Sequence, residues 1–452
     1  MKKERIHFIA IGGAAMHNLA IALYKKGHKI TGSDDEIFNP SKSRLEKYNL
    51  LPDSFGWHPE KIDKSIDAII LGMHAKEDNP ELLKAKELQL PVFSYPEYLY
   101  EQTKNKKRIA VAGSHGKTTT TSMIMHILKT ANIQFDYMVG ANLEGFDTMV
   151  NLEESNKIAV FEADEYLSSP IDMRSKFLWY KPHISIITGI AWDHINVFPT
   201  FESYLETFNS FLKTIPSEGK VFWYRNDQYI SNLLNSKKFE FSNKSYEGFK
   251  LNFDQQLQIN PKTAPFNPSV FGAHNLQNME AAYLVAKELG INDEIFIKAM
   301  QTFKGAARRL QIIRKTPNPV YFDFAHAPSK VQATVNALKE KHPDKRILAC
   351  LELHTFSSLN KAFIPHYEKT LENAHEAIVY FNPKTLEHKN MPPLSLDFVS
   401  KSFNHRNLTV VNDSELVLNK IKDYYSDDYI ILIMTSGNFN GVNFSQWIND
   451  TL

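Results

Sequence analysis

Residues Ile109 to Thr130 read IAVAGSHGKTTTTSMIMHILKT: an apolar run, a turn with two glycines, a lysine before a row of threonines, then apolar residues at helical spacing. Met123, Ile124, Ile127, Leu128 and Ala131 share one face at 3.6 residues per turn, so a helix is predicted from about Lys117. A strand running into Gly113, Ser114, His115 and Gly116, with a helix opening at Lys117, Thr118 and Thr119, aims backbone N–H groups and the positive helix end into one turn. That turn suits a polyphosphate. Lys117 can neutralise its outer oxygens, and the Thr118 hydroxyl suits a magnesium ion bridging them. The spacing departs from the usual G-x-x-x-x-G-K-[ST], because Val111 stands where the first glycine belongs.

Working outward, strand-like runs such as RIHFIAI, DAIILGM, IAVFEAD, HISIITGI, PVYFDFA, KRILACLEL, EAIVYFN and DYIILIMTSG recur with helix-like segments between many of them. That alternation predicts parallel sheets covered on both faces. The chain has 452 residues, too many for one core. Polar YEQTKNKKR and the GAARRLQIIRKTPNP segment read as joints. Three α/β domains are therefore expected: a Rossmann-like domain over 1–103, a central P-loop mononucleotide-binding domain over 104–310, and a second Rossmann-like domain over 311–452.

The 52 basic and 51 acidic residues nearly cancel, so no broad basic field marks nucleic acid as a partner. No apolar run reaches the roughly 20 residues of a membrane span. The basic, then apolar N-terminus runs into a glycine turn without a cleavage site and reads as a first strand. Cys350, the sole cysteine, lies in an apolar strand and reads as core; a cytoplasmic location is expected. Nothing in the sequence sets an oligomeric state.

Two further strands bear on the phosphate turn. IAVFEADEY ends in Glu162, Asp164 and Glu165, and HISIITGIAWDHINVF is expected to deliver Asp193 and His194 in the same way. Magnesium takes oxygen ligands from one or two carboxylates, phosphates and water, and Glu162 is the first choice among the acids. In the first domain, FIAIGGAAMHNLAIAL is strand, glycine turn and helix, so Gly12 and Gly13 can admit a pyrophosphate, with Ser33 and Asp34 at the end of the second strand.

Together GSHGKTTT, EADEY, the WDH at His194 and GAHNLQNMEAA resemble the Mur ligase family, ATP-dependent amide-forming enzymes of cell-wall synthesis. The resemblance covers nearly the whole chain. It implies ATP and Mg2+ as cofactors, and UDP-N-acetylmuramate and an amino-acid or peptide amine as substrates. It assigns His274, Asn275 and Asn278 to the adenosine, Arg309 to the γ-phosphate, and Asp323 and His326 to closure over the nucleotide. His194 becomes a magnesium ligand or, as a free imidazole, a base.

Two stretches, EADEYLSSPIDMRSKFLWYKP and MTSGNFNGVN, look most like members that attach the tripeptide L-alanyl-γ-D-glutamyl-meso-diaminopimelate in peptidoglycan recycling; addition of L-alanine in de novo synthesis is the alternative. His354, Ser436 and Asn438 are candidates for holding the peptide. Ala327 stands where such proteins carry a second histidine, and His354 lies where they have an arginine-bearing turn. Two other classes compete. An NAD-dependent oxidoreductase explains the first glycine turn and Asp34 but leaves GSHGKTT without a purpose, and a non-catalytic nucleotide-binding module keeps the grip without the chemistry.

Overall fold

Strand and helix alternate as the sequence pattern requires, and they build three main sheets in the computed structural model, which describes residues 3–236, 238–315, 318–425 and 428–451. The first sheet contains β1 (Arg5–Ile9), β2 (Lys29–Ser33), β3 (Ala68–Leu71) and β4 (Val92–Ser94), all parallel in the order β2-β1-β3-β4. Its segment closes with the helix Tyr95–Thr103, whose start is fixed by a capping box between Ser94 and Glu97.

The second sheet is built from β5 (Lys107–Ala112), β6 (Asp136–Met138), β7 (Val150–Asn151), β8 (Ile158–Glu162), then, past the antiparallel pair β9 (Leu167–Ser169) and β10 (Asp172–Ser175), from β11 (Ile184–Ile187), β12 (Lys220–Tyr224) and β13 (Ser242–Tyr246). Its order is β13-β12-β11-β5-β8-β6-β7, with only β7 antiparallel to its neighbour. The phosphate-turn strand β5 therefore lies between β11 and β8, and the ends of both flank its turn. The helix Ala14–Lys25 of the first sheet is tied to the edge of the second. Asn18 accepts the Met149 N–H at 2.9 Å, and Lys25 pairs with Asp147.

The third sheet joins β14 (Gln311–Arg314), β15 (Val320–Asp323), β16 (Arg346–Leu353), β17 (Glu376–Phe381), β18 (Leu408–Val411) and β19 (Tyr429–Met434) in the order β14-β15-β19-β16-β17-β18. Only β14 is antiparallel there. Alternate residues of β16 serve two cores: Ile347, Ala349, Leu351 and Leu353 on one face, Leu348 and Cys350 on the other. A strand covered on both sides must be apolar throughout, which explains KRILACLEL and the buried thiol of Cys350.

The chain divides into two compact units. One contains residues 1–190, 205–247 and 281–299, and so holds the first two sheets; the other contains 191–204, 248–280 and 300–452. None of the described helices is long and apolar enough to cross a membrane.

Candidate functional site

The phosphate turn is rigid because β11 holds it. Ser114 donates its N–H to the Gly189 carbonyl at 2.8 Å, and the Thr188 hydroxyl donates to the His115 carbonyl. Gly113 has φ of 120°, and a Cβ there would lie 2.3 Å from the Thr188 oxygen, so only glycine fits. Gly116, at φ 65°, caps the helix Lys117–Thr130. Beyond the cap, the helical ladder starts with Thr120 N–H to the Gly116 carbonyl at 2.8 Å. The N–H groups of Lys117 and Thr119 precede it and have no acceptor within the helix. These are the donors a phosphate needs.

The end of strand β8 and the segment just after it supply the acids. The Thr118 hydroxyl donates to Glu162 at 2.8 Å, and Glu162 also accepts the Gly140 N–H at 2.6 Å. Lys117 Nζ lies 2.7 Å from the buried carboxylate of Glu165. Burial pushes the Lys117 ammonium down, but Glu165, Asp164 and Glu162 outweigh it and leave its pKa raised. Lys117 therefore stays charged. Asp164 pairs with Lys176 at 2.7 Å. The sequence reading named all three acids but gave Glu165 no separate role, because the strand end alone does not say which carboxylate reaches the lysine.

The neighbouring strand is shorter than the sequence suggests. β11 stops at Ile187, where Thr188 and Gly189 turn aside to clamp the phosphate loop, so Asp193 and His194 lie in the loop beyond rather than at the strand end. They belong to the second compact unit. His194 has a left-handed φ of 55°, uncommon for a side chain of its size, and its N–H donates to Asp193 at 2.8 Å. Lys330 sits 3.5 Å from Asp193. Burial works against the Asp193 charge, yet Lys330 and the neighbouring histidines hold its carboxyl well below the usual range.

The other residues assigned to the nucleotide also fall in the second unit. His274, Asn275 and Asn278 open the helix Ala273–Glu288; both asparagines are buried, and Asn275 donates to the Phe271 carbonyl at 2.8 Å. Burial lowers the His274 pKa against the pull of Asp323. Asp323, at the end of β15, accepts the N–H groups of Leu310 and Ala325, each at 2.6 Å. It thereby fixes the turn carrying Arg309. Arg308 and Leu310 both adopt left-handed φ, 59° and 45°, a strain held by Asp323 and by Gln311, which accepts the Arg308 N–H at 3.0 Å. His326 donates through Nδ1 to the Phe324 carbonyl at 2.8 Å; burial and then Lys330 push its pKa down to about 3, so it is neutral.

Of the peptide candidates, His354 stands 3.7 Å from Glu352. Glu352, a buried carboxylate absent from the sequence reading, accepts the Thr435 hydroxyl and, at 3.0 Å, the Phe439 N–H. It sets the shape of the loop bearing Ser436 and Asn438. Only a strand-end acid inside LACLEL hinted at this role.

At the first glycine turn the structure changes the expected ligand contacts. Ala10 and Ile11 give their N–H groups to the Ser33 carbonyl at 2.9 and 3.1 Å, and Gly12 gives its N–H to Asp34 at 2.7 Å. The Gly12 donor is thus spent within the chain. Ala14 to Met16, before the first helical bond from His17 N–H to the Gly13 carbonyl, keep donors for a ligand.

A strand, a glycine turn and a Lys-Thr helix start facing acids from the next strand define a phosphate-loop nucleotide-binding α/β protein. Residues 111–286 match the Mur ligase middle domain, and residues 5–107 the Mur ligase family, catalytic domain. The UDP-N-acetylmuramate–L-alanine ligase of Aquifex aeolicus is 30% identical over 470 residues, covering 100% of this chain and 98% of that one. Among solved structures, the UDP-N-acetylmuramate-alanine ligase of Thermotoga maritima aligns with a TM-score of 0.72 at 20% identity, covering 99% of each chain. The UDP-N-acetylmuramate:L-alanyl-gamma-D-glutamyl-meso-diaminopimelate ligase of Neisseria meningitidis aligns at 0.62 and 26% identity, covering 68% of this chain and all of that one. The chain belongs to the Mur ligase family, ATP-dependent, ADP-forming amide ligases of peptidoglycan synthesis.

Proposed function

We propose that the protein activates the carboxylate of UDP-N-acetylmuramate as an acyl phosphate and passes it to an amine, working in the cytoplasm where ATP is made. The reading rests on one arrangement: Thr118 touches Glu162, at the end of β8, and Lys117 touches Glu165, just past it, at 2.8 and 2.7 Å. A carboxylate is a poor electrophile, and phosphorylation gives it a leaving group. The helix N–H groups, Lys117 and Arg309 stabilise charge on the phosphoryl group during in-line transfer. Thr118 and Glu162 offer adjacent hard oxygens that suit magnesium, with His194 as a further ligand; the ion supplies charge neutralisation on the phosphates. The amine must reach the acyl phosphate unprotonated, and Asp323 and His326 help exclude water by closing over ATP.

We assign 1–103 to the UDP-sugar, at the turn of Gly12 and Gly13 beside Ser33 and Asp34, where Ala14 to Met16 rather than Gly12 supply the N–H donors; 104–310 to ATP; and 311–452 to the amine. Sequence relatives favour L-alanine as that amine, ahead of the tripeptide expected from the sequence motifs. The tripeptide keeps a second reading through the 26% identical Neisseria meningitidis ligase and the stretches Glu162–Pro182 and Met434–Asn443.

Phosphate release from ATP with UDP-N-acetylmuramate and either amine tests the proposal. Release with L-alanine alone places the protein in synthesis, and release with the tripeptide alone places it in recycling. Release with neither refutes the ligase reading. Arg309→Ala is expected to lower kcat far more than it weakens the sugar nucleotide; equal losses contradict its assignment.

A further inference from the structure

The clamp that β11 places on the phosphate turn is itself held from its other side. β12 lies next to β11, with Trp223 opposite Ile187, and the chain leaving β12 turns tightly, Asp227 N–H to the Tyr224 carbonyl at 3.2 Å. That turn brings the Asp227 side chain to the end of β11. One carboxylate oxygen accepts the Ile190 N–H at 2.6 Å, and the other accepts the Ile230 N–H at 3.0 Å. The second bond caps the helix Gln228–Ser236. The first has no part in that helix.

Ile190 follows Gly189, whose carbonyl accepts the Ser114 N–H at 2.8 Å. Gly189 has φ of 148°, a conformation that glycine adopts far more readily than any other residue, and the chain leaves the first compact unit directly after Ile190. Segments at the margin of a compact unit open most easily, so a carbonyl there keeps its aim only if the peptide behind it is tied down. Asp227 is that tie. A relay of Asp227, Ile190, Gly189 and Ser114 thus runs across the ends of the adjacent strands β12, β11 and β5, within the first unit.

Charge makes the choice of residue informative. A Cβ on Gly189 would lie 3.6 Å from Asp227 Oδ2 and 3.9 Å from the His115 ring, so the carboxylate and the phosphate turn flank the same glycine. An acid so placed repels a bound phosphate. Serine would cap the helix as well without that repulsion. What aspartate adds is a second oxygen on a longer arm.

We propose that Asp227 is a positioning residue for ATP: by holding Ile190 it sets the Gly189 carbonyl against Ser114 and preorganises the phosphate turn without touching the nucleotide. The inference rests on the ligase reading above in taking that turn as the ATP site, and it adds a residue that the sequence motifs did not single out.

The test measures binding of magnesium–ATP to the full chain by titration calorimetry, and phosphate release with ATP, UDP-N-acetylmuramate and amine, in wild type, Asp227→Ser and Asp227→Ala. Serine keeps the helix cap but is too short to hold Ile190 as well, so its urea midpoint should match the wild type. Its ATP Kd and KM should nevertheless rise about tenfold, the size of one hydrogen bond to a charged group, with the UDP-N-acetylmuramate KM changed less than about twofold. Alanine loses both bonds and should show the same ATP deficit together with a lower urea midpoint.

Wild-type ATP affinity in Asp227→Ser overturns the assignment. Tighter binding overturns it too, because the charge of the carboxylate would then outweigh its hydrogen bond. A deficit in Asp227→Ala alone tracks the helix cap, and equal losses for ATP and the sugar nucleotide mark general loosening; either result sinks the proposal. Wild-type protein that binds no ATP overturns the inference together with the reading of the turn, whereas bound ATP without phosphate release from any amine refutes the ligase reading alone.

Discussion

Two strand–glycine–helix turns lie in the first compact unit, one after β1 and one after β5, and the same backbone design carries opposite chemistry. After β1, the N–H groups of Ala10, Ile11 and Gly12 are consumed by Ser33 and Asp34, so an acid of the chain itself fills part of the anion cradle. After β5, the loop is braced from behind by Thr188 and Gly189, leaving the helix start next to Lys117 and Thr118. Lys117 brings positive charge to the second turn, and Asp34 brings an acid to the first. The comparison teaches that a glycine turn at a helix start sets where an anion can sit, while the adjoining side chains set how much charge it can bear. On the ligase reading proposed above, the triphosphate is assigned to the second turn and the pyrophosphate diester to the first.

Exchanging charge at the two turns should break the comparison most visibly. Lys117→Met is expected to lower kcat by about 10³, the order seen when one preorganised charge-stabilising donor is removed, whereas Asp34→Asn should change kcat less than about fivefold. Steady-state phosphate release measures both. Equal losses would mean that the turns do not divide the work.

Adding a methyl group sharpens the contrast in stability. Gly113→Ala places a Cβ 2.3 Å from the Thr188 oxygen and 2.8 Å from its backbone nitrogen, at a φ of 120°, and should cost about 3 kcal/mol or more. Gly13→Ala, whose nearest contact is the Met16 side chain at 3.4 Å, should cost less than about 1 kcal/mol. Urea unfolding decides between them.

Acidity separates the turns further. Burial, with Asp35 beside it, pushes Asp34 up to about 6 despite the Gly12 N–H, against 3.8 ordinarily. Between about pH 4 and 6 the folded protein holds a proton that the unfolded chain has released, so stability falls as pH rises through that window and levels off above it. The change is at most about 3 kcal/mol. Asp34→Asn should flatten this part of the profile, measured by thermal unfolding from pH 4 to 7. A profile that keeps its slope in the variant places the titration elsewhere.

The smallest effect expected is on magnesium. Glu162→Gln keeps an amide oxygen for the Gly140 N–H and can donate its NH2 to the Thr118 hydroxyl oxygen, but it loses the charge, so the magnesium concentration for half-maximal rate should rise about tenfold.

Much of this was legible in the chain. Local periodicity and turn chemistry placed the helix at Lys117, and it begins there; the apolar runs gave the β-strands at the centre of each sheet, because a strand buried on both faces admits little but apolar residues. Strand β14 was not legible, since Gln311–Arg314 alternates too weakly to announce an edge strand. The end of β11 is not legible either, because what stops it is the grip of Thr188 and Gly189 on a loop more than 70 residues earlier.

By itself the sequence determined the α/β class, the phosphate turn and the acids that face it, because those features depend on neighbours within a few residues. Only the tertiary structure decided which carboxylate meets Lys117, that Asp34 takes the Gly12 N–H, that Glu352 shapes the last loop and that Asp227 takes the Ile190 N–H. Such pairings join groups from separate strands, and which partners meet is fixed by sheet order and register, quantities that no local pattern encodes.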